Sequence, residues 1–227
     1  METYSIATFN IHNFRNAGQQ ITLREIIDTI QKYDIVALQE VSDNDKLNEI
    51  IKGWNYIYNR STLLLSKYPI KETVTDKNTK ERHTAAIIQL PGKSIFVSNV
   101  HLNYRDETIR ISEMENIIKL INPYVQSYPS ILLGDFNALT RNDYDHSKWA
   151  NIYNIREKGK WELPVHILTD SLNMLWVDSG KDNYSETCRY NTRIDYIYTK
   201  EINKINYEVV KTMPHISDHN LVTISFE

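Results

Sequence analysis

Ser130-Ile131-Leu132-Leu133-Gly134-Asp135-Phe136-Asn137 is the stretch on which the reading of this chain turns. Three consecutive large aliphatic residues followed by turn formers read as a buried strand. Gly134 lets the backbone approach a neighbour closely and change direction. Phe136 can then point inward while Asp135 and Asn137, two residues apart, share the opposite face. A carboxylate and an amide are thereby presented together at a strand end. Taken alone, the same residues also make an ordinary polar turn, since Asp and Asn favour turns.

The pattern recurs along the chain. Asn10 follows the apolar run Ser5–Phe9, Glu40 comes two residues after Ile35–Leu38, and His101 closes Ile95–Val100. Asp218-His219 lies between Ile216 and the strand-like Leu221–Phe226. Each site has a plain structural alternative: a solvated strand end for Glu40, a structural histidine for His101, a capped turn for Asp218-His219. The bland account must hold at all of them at once, and this conjunction carries the functional reading. Strand ends that converge on one crevice are where open α/β sheets seat ligands. A carboxylate such as Glu40 must meet water or a cation there, because burying it unpaired is costly. Asp218 can hold a metal while His219 meets a phosphate oxygen, and Asp195, which interrupts an apolar strand, is a candidate partner for His219. Oxygen-rich donors with few histidines point to Mg²⁺ or Mn²⁺ rather than Zn²⁺. The residues thus read as a metal-dependent phosphoesterase.

Composition sets the frame. The chain has 227 residues, 41% hydrophobic and 24% charged, with a net charge of −3. That length suits one domain spanning residues 1–227. No apolar run is long enough to span a membrane, and the strand-like start leaves no room for a signal peptide. A single cysteine, Cys188, excludes an internal disulfide framework and fits a reducing, cytoplasmic setting, with the nucleus still open. The acidic balance argues against a protein that coats nucleic acid, though not against a nucleic-acid substrate.

Strand-like runs rich in Ile, Val, Tyr and Thr recur at Tyr4–Asn10, Asp34–Leu38, Tyr56–Tyr58, Thr62–Ser66, Thr84–Leu90, Ser94–Val100, Ser130–Leu133, Arg193–Tyr198, Asn206–Lys211 and Leu221–Phe226. Thr22 and Glu25 form a capping box ahead of Ile26, Ile27 and Ile30. A second helix is predicted from Thr108 to Ile121, with Ile111, Met114, Ile117, Ile118 and Ile121 on its packing face. Weaker helices fall at Asp45–Ile51, Trp149–Glu157 and Thr169–Met174. The segment 138–165 reads as a long loop beside the crevice. Some strands are joined by helices and others by turns such as Pro91-Gly92. Two packed sheets of mixed direction with helices outside accommodate both.

Other chemistries lack their signatures. There is no P-loop, no Gly-rich dinucleotide turn, no Gly-x-Ser-x-Gly elbow and no cysteine partner for zinc.

In order along the chain, Phe9-Asn10, Gln39-Glu40, His101-Leu102, Gly134-Asp135-Phe136-Asn137, Arg193-Ile194-Asp195 and Ser217-Asp218-His219 resemble the endonuclease/exonuclease/phosphatase superfamily, which includes deoxyribonuclease I, tyrosyl-DNA phosphodiesterases and sphingomyelinases. The resemblance implies an α/β fold: a four-layer α/β sandwich, two mixed and mainly antiparallel sheets packed face to face with outer helices. It implies a divalent-metal phosphodiesterase acting on nucleic acid or a nucleic-acid adduct, with a small or lipid phosphate ester as the alternative substrate. A non-catalytic binding module of the same fold ranks third, because every expected position is filled.

By the same resemblance, Glu40 is the principal Mg²⁺ ligand, with Asn10 and Asp218 in the metal shell. Asp135 orients or deprotonates the attacking water, and Asn137 fixes that water or a phosphate oxygen. His101, and His219 oriented by Asp195, hydrogen-bond the phosphoryl oxygens. Val41-Ser42 after Glu40, and His12 two residues after Asn10, depart from the abasic-endonuclease pattern and argue against that substrate. His12 is expected in a surface loop. Arg105, Arg110, Arg189 and Arg193 are candidate phosphate contacts. Trp149 and Trp161 are candidate base-stacking residues. A monomer is expected.

Overall fold

A computed structural model describes residues 2–16, 19–20, 23–74, 82–163, 165–181, 185–203 and 205–227. Its elements run β1 (Tyr4–Asn10), β2 (Arg15–Asn16), β3 (Gln19–Gln20), α1 (Leu23–Ile30), β4 (Ile35–Gln39), α2 (Asn44–Ile50), β5 (Asn55–Asn59), β6 (Thr62–Ser66) and β7 (Ile70–Thr73). They continue through β8 (His83–Leu90), β9 (Lys93–His101), α3 (Glu107–Val125), β10 (Ser130–Asp135), α4 (His146–Lys158), α5 (Ile167–Leu172), β11 (Val177–Asp178), β12 (Asp195–Lys200), β13 (Asn206–Val210) and β14 (Leu221–Phe226).

Two six-stranded sheets form, in the orders β13-β14-β1-β4-β6-β5 and β11-β12-β10-β9-β8-β7. Among the described residues only β1 with β4, and β9 with β10, pair in parallel; the other ladders are antiparallel. Side chains alternate across each strand, which sorts the apolar residues into layers. Ile6, Ile35, Ala37, Ile131 and Leu133 face the seam between the sheets. Ala7, Phe9, Val36 and Leu38 face the other way, onto Ile26 and Ile30 of α1 and Ile50 of α2. Leu132 and Phe96 face outward onto Met114, Ile117, Ile121 and Val125 of α3 and Leu168 of α5. Three apolar seams between four layers make the α/β sandwich that the sequence predicts.

Local chemistry sets the element ends. The Asp106 side chain accepts from the backbone N–H groups of Thr108 and Ile109 and so caps α3. That helix runs a turn beyond the predicted Ile121, because Val125 extends its buried stripe. Thr22 of the expected capping box lies outside the described residues. Within 138–165, read as a long loop, the helix expected at Trp149–Glu157 forms as α4 from His146 to Lys158. Asp145 caps α4 through Lys148 N–H at 2.7 Å, and Ile152 ties the helix to Leu139, Tyr144 and Val165. β12 starts at Asp195 rather than Arg193, whose side chain turns into a buried ion pair. Among the described residues no helix is long and apolar enough to cross a membrane.

Candidate active site

The parallel pairs bring the polar strand ends together. Asn10 ends β1 opposite Gln39 of β4, and Asp135 ends β10 opposite both His101 of β9 and Asp195 of β12. Gly134 makes this possible. Its φ is +142°, and a Cβ there would sit 2.0 Å from the Val100 carbonyl oxygen, so only glycine lets β10 lie against β9 in this way. Beyond the strand ends the chain turns sharply, with φ of 60° at Glu40 and 51° at Asn137. Left-handed backbone at a bulky residue such as Glu40 is uncommon and strained, and such strain clusters at functional sites.

Asp135 is the hub. Its Oδ2 accepts from Asn10 Nδ2 at 2.9 Å, and its Oδ1 accepts from the Asn137 backbone N–H at 2.9 Å. His101 Nε2 lies 3.7 Å from Asp135 Oδ2 and 3.8 Å from Glu40 Oε1. His219 Nε2 lies 4.0 Å from the same Asp135 oxygen, while its Nδ1 meets Asp195 Oδ2 at 2.9 Å. Asn10 Nδ2 also reaches Glu40 Oε1 at 3.2 Å, and Ser217 Oγ donates to the Asn10 carbonyl at 2.7 Å. Asn137 Nδ2 donates to the Leu102 carbonyl. Asn10, Glu40, His101, Asp135, Asn137, Asp195 and His219 are thereby brought together at the ends of both sheets, with Asp218 next to His219 in the chain.

Electrostatics differentiates the groups. Burial pushes the Asp135 carboxyl up, and the neighbouring Asp195 pushes it further, to about 7, against the opposing pull of His219 and Asn10. Burial holds His101 well below its ordinary value, aided by Arg82 and His219, so it is a neutral imidazole near pH 7. Burial acts the same way on His219, but Asp195 and Asp135 outweigh it and raise the ring well above its ordinary value. His219 is thus a cationic donor held by Asp195.

Asp135, Asp195 and His219 offer ligand atoms within 4.8 Å of one another. The Asp195–His219 hydrogen bond occupies one atom of each of two of those groups. Glu40, Asn10 and Asp218 offer harder oxygen donors. The buried Asp218 Oδ1 has no hydrogen-bond partner among the described residues, and Asn10 Oδ1, which accepts the His12 backbone N–H, keeps a second lone pair. This donor set fits a hard divalent cation.

Two of the four expected phosphate contacts are corrected by burial. Arg110 is fully buried, its guanidinium held by Glu107 at 2.7 Å, the Asn103 carbonyl at 2.8 Å and Glu162. Arg193 is fully buried between Asp143 and Asp178, with bidentate contacts of 2.6–2.9 Å on both sides. Neither can reach a substrate. Trp149 also packs internally, stacked on Tyr153 and donating to the Arg141 carbonyl. Arg105 and Arg189 are placed differently: Arg189 reaches Asp218 Oδ2 at 3.3 Å, and Arg105 lies 4.8 Å over the Tyr104 ring.

Sequence reading missed two features. His12, expected in a surface loop, is half-buried in a short turn with its Nδ1 3.3 Å from Asp218 Oδ1. Below the crevice, Gln39 Nε2 donates to Asn99 Oδ1 at 2.7 Å, and Asn99 Nδ2 donates to the Leu38 and Leu63 carbonyls. This buried polar bridge ties the two sheets just beneath the chemistry. Alternation was the available signal: Gln39 shares a face with Ile35 and Ala37, and Asn99 with Ile95 and Val97, so both must point into the seam.

A four-layer sandwich with carboxylates, amides and histidines at the converging strand ends defines a hydrolase-type α/β scaffold. The sequence pattern of the Endonuclease/Exonuclease/phosphatase family matches residues 7–219, and the chain belongs to that family. Its enzymes are hydrolases of phosphoester bonds. No curated protein matches the sequence significantly. Among solved structures, the endonuclease/exonuclease/phosphatase from Bacteroides vulgatus is 16% identical, with a TM-score of 0.72 over 100% of this chain and 99% of that one. Truncated TDP2 from Caenorhabditis elegans is 15% identical, with a TM-score of 0.67 over 99% and 97%. The mannosyl-6-phosphatase Bt3783 of Bacteroides thetaiotaomicron is 16% identical, with a TM-score of 0.65 over 99% of each chain. At these identities the likeness is one of fold.

Proposed function

We propose that the protein is a divalent-metal-dependent phosphodiesterase that hydrolyses phosphodiester bonds in nucleic acid or a nucleic-acid adduct. The observation that carries the reading is the placing of Asp135 between a neutral and a cationic histidine, within hydrogen-bond reach of Asn10. Family membership supports phosphoester chemistry. A Mg²⁺ or Mn²⁺ ion held by Glu40, Asn10 and Asp218 would supply charge neutralisation on the phosphate.

Asp135, poised near neutrality, takes the proton of the attacking water, since a general base works best with a pKa near the operating pH. Asn137 holds Asp135 Oδ1 through its backbone N–H and so fixes the angle of approach. His219 donates from Nε2 to a phosphoryl oxygen, with Asp195 keeping the ring charged and oriented. His101, neutral, adds a second donor. Donors preorganised in a water-poor crevice stabilise charge as it develops. A single free and buried cysteine, Cys188, supports placing the enzyme inside the cell.

The test is a substrate panel of single- and double-stranded DNA, RNA, phosphotyrosyl-DNA, sphingomyelin and a sugar phosphate, with Mg²⁺, with Mn²⁺ and with chelator. Chelator-sensitive cleavage of a nucleic-acid phosphodiester is expected, with Glu40→Gln and Asp135→Asn each losing ~10²-fold or more. Absence of any phosphodiester cleavage, or full activity in either variant, rejects the assignment.

A further inference from the structure

Three exposed aromatic rings, two of them in contact with each other, each have an arginine lying over them. Tyr104 is 60% exposed, Trp161 49% and Tyr190 57%. Arg105 sits 4.8 Å from the Tyr104 ring centre, Arg156 5.8 Å from Trp161 and Arg189 5.0 Å from Tyr190. Exposed aromatics are normally scattered singly; here they are joined. The Tyr190 ring meets Trp161 edge to face, with centres 6.0 Å apart. Glu162, next to Trp161, accepts the backbone N–H of Glu107, which anchors the segment carrying Tyr104 and Arg105.

The Tyr190 end is fixed to a candidate metal residue, and Tyr104 follows soon after another candidate residue in sequence. Arg189 donates its backbone N–H to the Asp218 carbonyl at 3.0 Å, reaches Asp218 Oδ2 at 3.3 Å, and donates to the Tyr190 hydroxyl at 2.9 Å. Tyr104 follows His101 by three residues, and Asn103 Oδ1 accepts from the backbone N–H groups of Arg105 and Asp106. The Tyr190 ring is therefore tied to Asp218 through Arg189, and Tyr104 leaves β9 on a turn that Asn103 fixes.

We infer that this rim is a single-strand nucleic-acid track, in which bases flanking the scissile phosphate stack on Tyr190 and Trp161 while Arg189 and Arg105 pair with neighbouring phosphates. The inference rests on the phosphodiesterase reading and narrows it to unpaired strands. Rings supply a face that any base can use, and guanidinium groups beside them supply charge to the backbone. A duplex keeps its bases stacked internally and cannot offer them. A lipid ester has no planar group to place there.

The test is equilibrium binding, which needs no turnover. Fluorescence anisotropy of a labelled single-stranded oligonucleotide is compared with that of a strand of equal length and charge carrying abasic spacers, using the full chain in chelator. The base-bearing strand is expected to bind more tightly. Tyr190→Ala and Trp161→Ala should each weaken it by about 5- to 150-fold and leave the spacer strand unchanged. Tyr190→Phe, which keeps the ring, should bind like the parent. Equal binding of both strands, or equal losses on both in the alanine variants, overturns the track. A protein that cleaves a phosphodiester yet ignores bases sinks this inference alone; one that prefers bases but cleaves nothing sinks the catalytic reading alone.

Discussion

Replacing Asp135 by asparagine should disable the enzyme and also make the metal-free protein more stable at alkaline pH. The carboxyl is 1% exposed, lies near Asp195 and titrates at about 7 instead of 3.8. Because its folded value is raised, the native state binds more protons than the unfolded chain between those two values. Stability is therefore lost as pH climbs through that window and stays lost above pH 7. Each pH unit is worth about 1.36 kcal/mol, which sets a ceiling of about 4 kcal/mol. Asparagine removes the ionisation but turns one amide N–H toward a donor, either Asn10 Nδ2 or the Asn137 backbone N–H, at a cost of about 1–3 kcal/mol. The net gain is about 2 kcal/mol, or roughly 4–8 °C in melting temperature for a chain of this size. Circular-dichroism melts of both proteins in chelator at pH 5 and pH 8.5 measure it. The advantage should be present at pH 8.5 and shrink or reverse at pH 5. A variant that melts below the parent at pH 8.5 refutes the reasoning.

Asp195→Asn removes the partner that keeps His219 protonated, so the alkaline limb of the pH–rate profile should move to lower pH, with a fall in kcat of ~10²–10⁴-fold; an unmoved limb contradicts the role given to the Asp195–His219 pair. Arg193→Met leaves Asp143 and Asp178 buried without their cation and should cost about 3–5 kcal/mol in urea unfolding, whereas an unchanged midpoint shows that the clamp is dispensable. Gly134→Ala places a methyl group 2.0 Å from the Val100 carbonyl oxygen, so β9 and β10 must part. That variant should lose activity and melt at lower temperature, and parent-like melting would show the contact to be relieved cheaply.

The strand ends were legible because each polar residue closes an apolar run of strand length, and a one-residue difference in register would have spoiled the pattern. Periodicity set Asn10, Glu40, His101 and Asp135 at strand ends, and the family resemblance set them in one site. Arg110 and Arg193 were misjudged for a physical reason. A long side chain spans several ångströms, and neighbours in sequence do not tell whether it reaches solvent or a carboxylate fifty residues away, such as Asp143 or Glu162. His12 was missed because a loop position has no period to place it. α4 begins three residues before the expected Trp149 because Asp145 caps it locally, while its seat against Val165 is a tertiary contact.

The Asn10–Asp135 hydrogen bond joins residues 125 positions apart, one from each sheet, and His219 arrives later still from beside β14. No fragment of the fold is thus a weaker version of the whole. A nascent chain that has made Glu40 and Asp135 but not β14 lacks both the strand that flanks β1 and the charged imidazole. The hydrogen-bond network of the candidate site is therefore complete only once β14 pairs with β1 and brings His219 to Asp195.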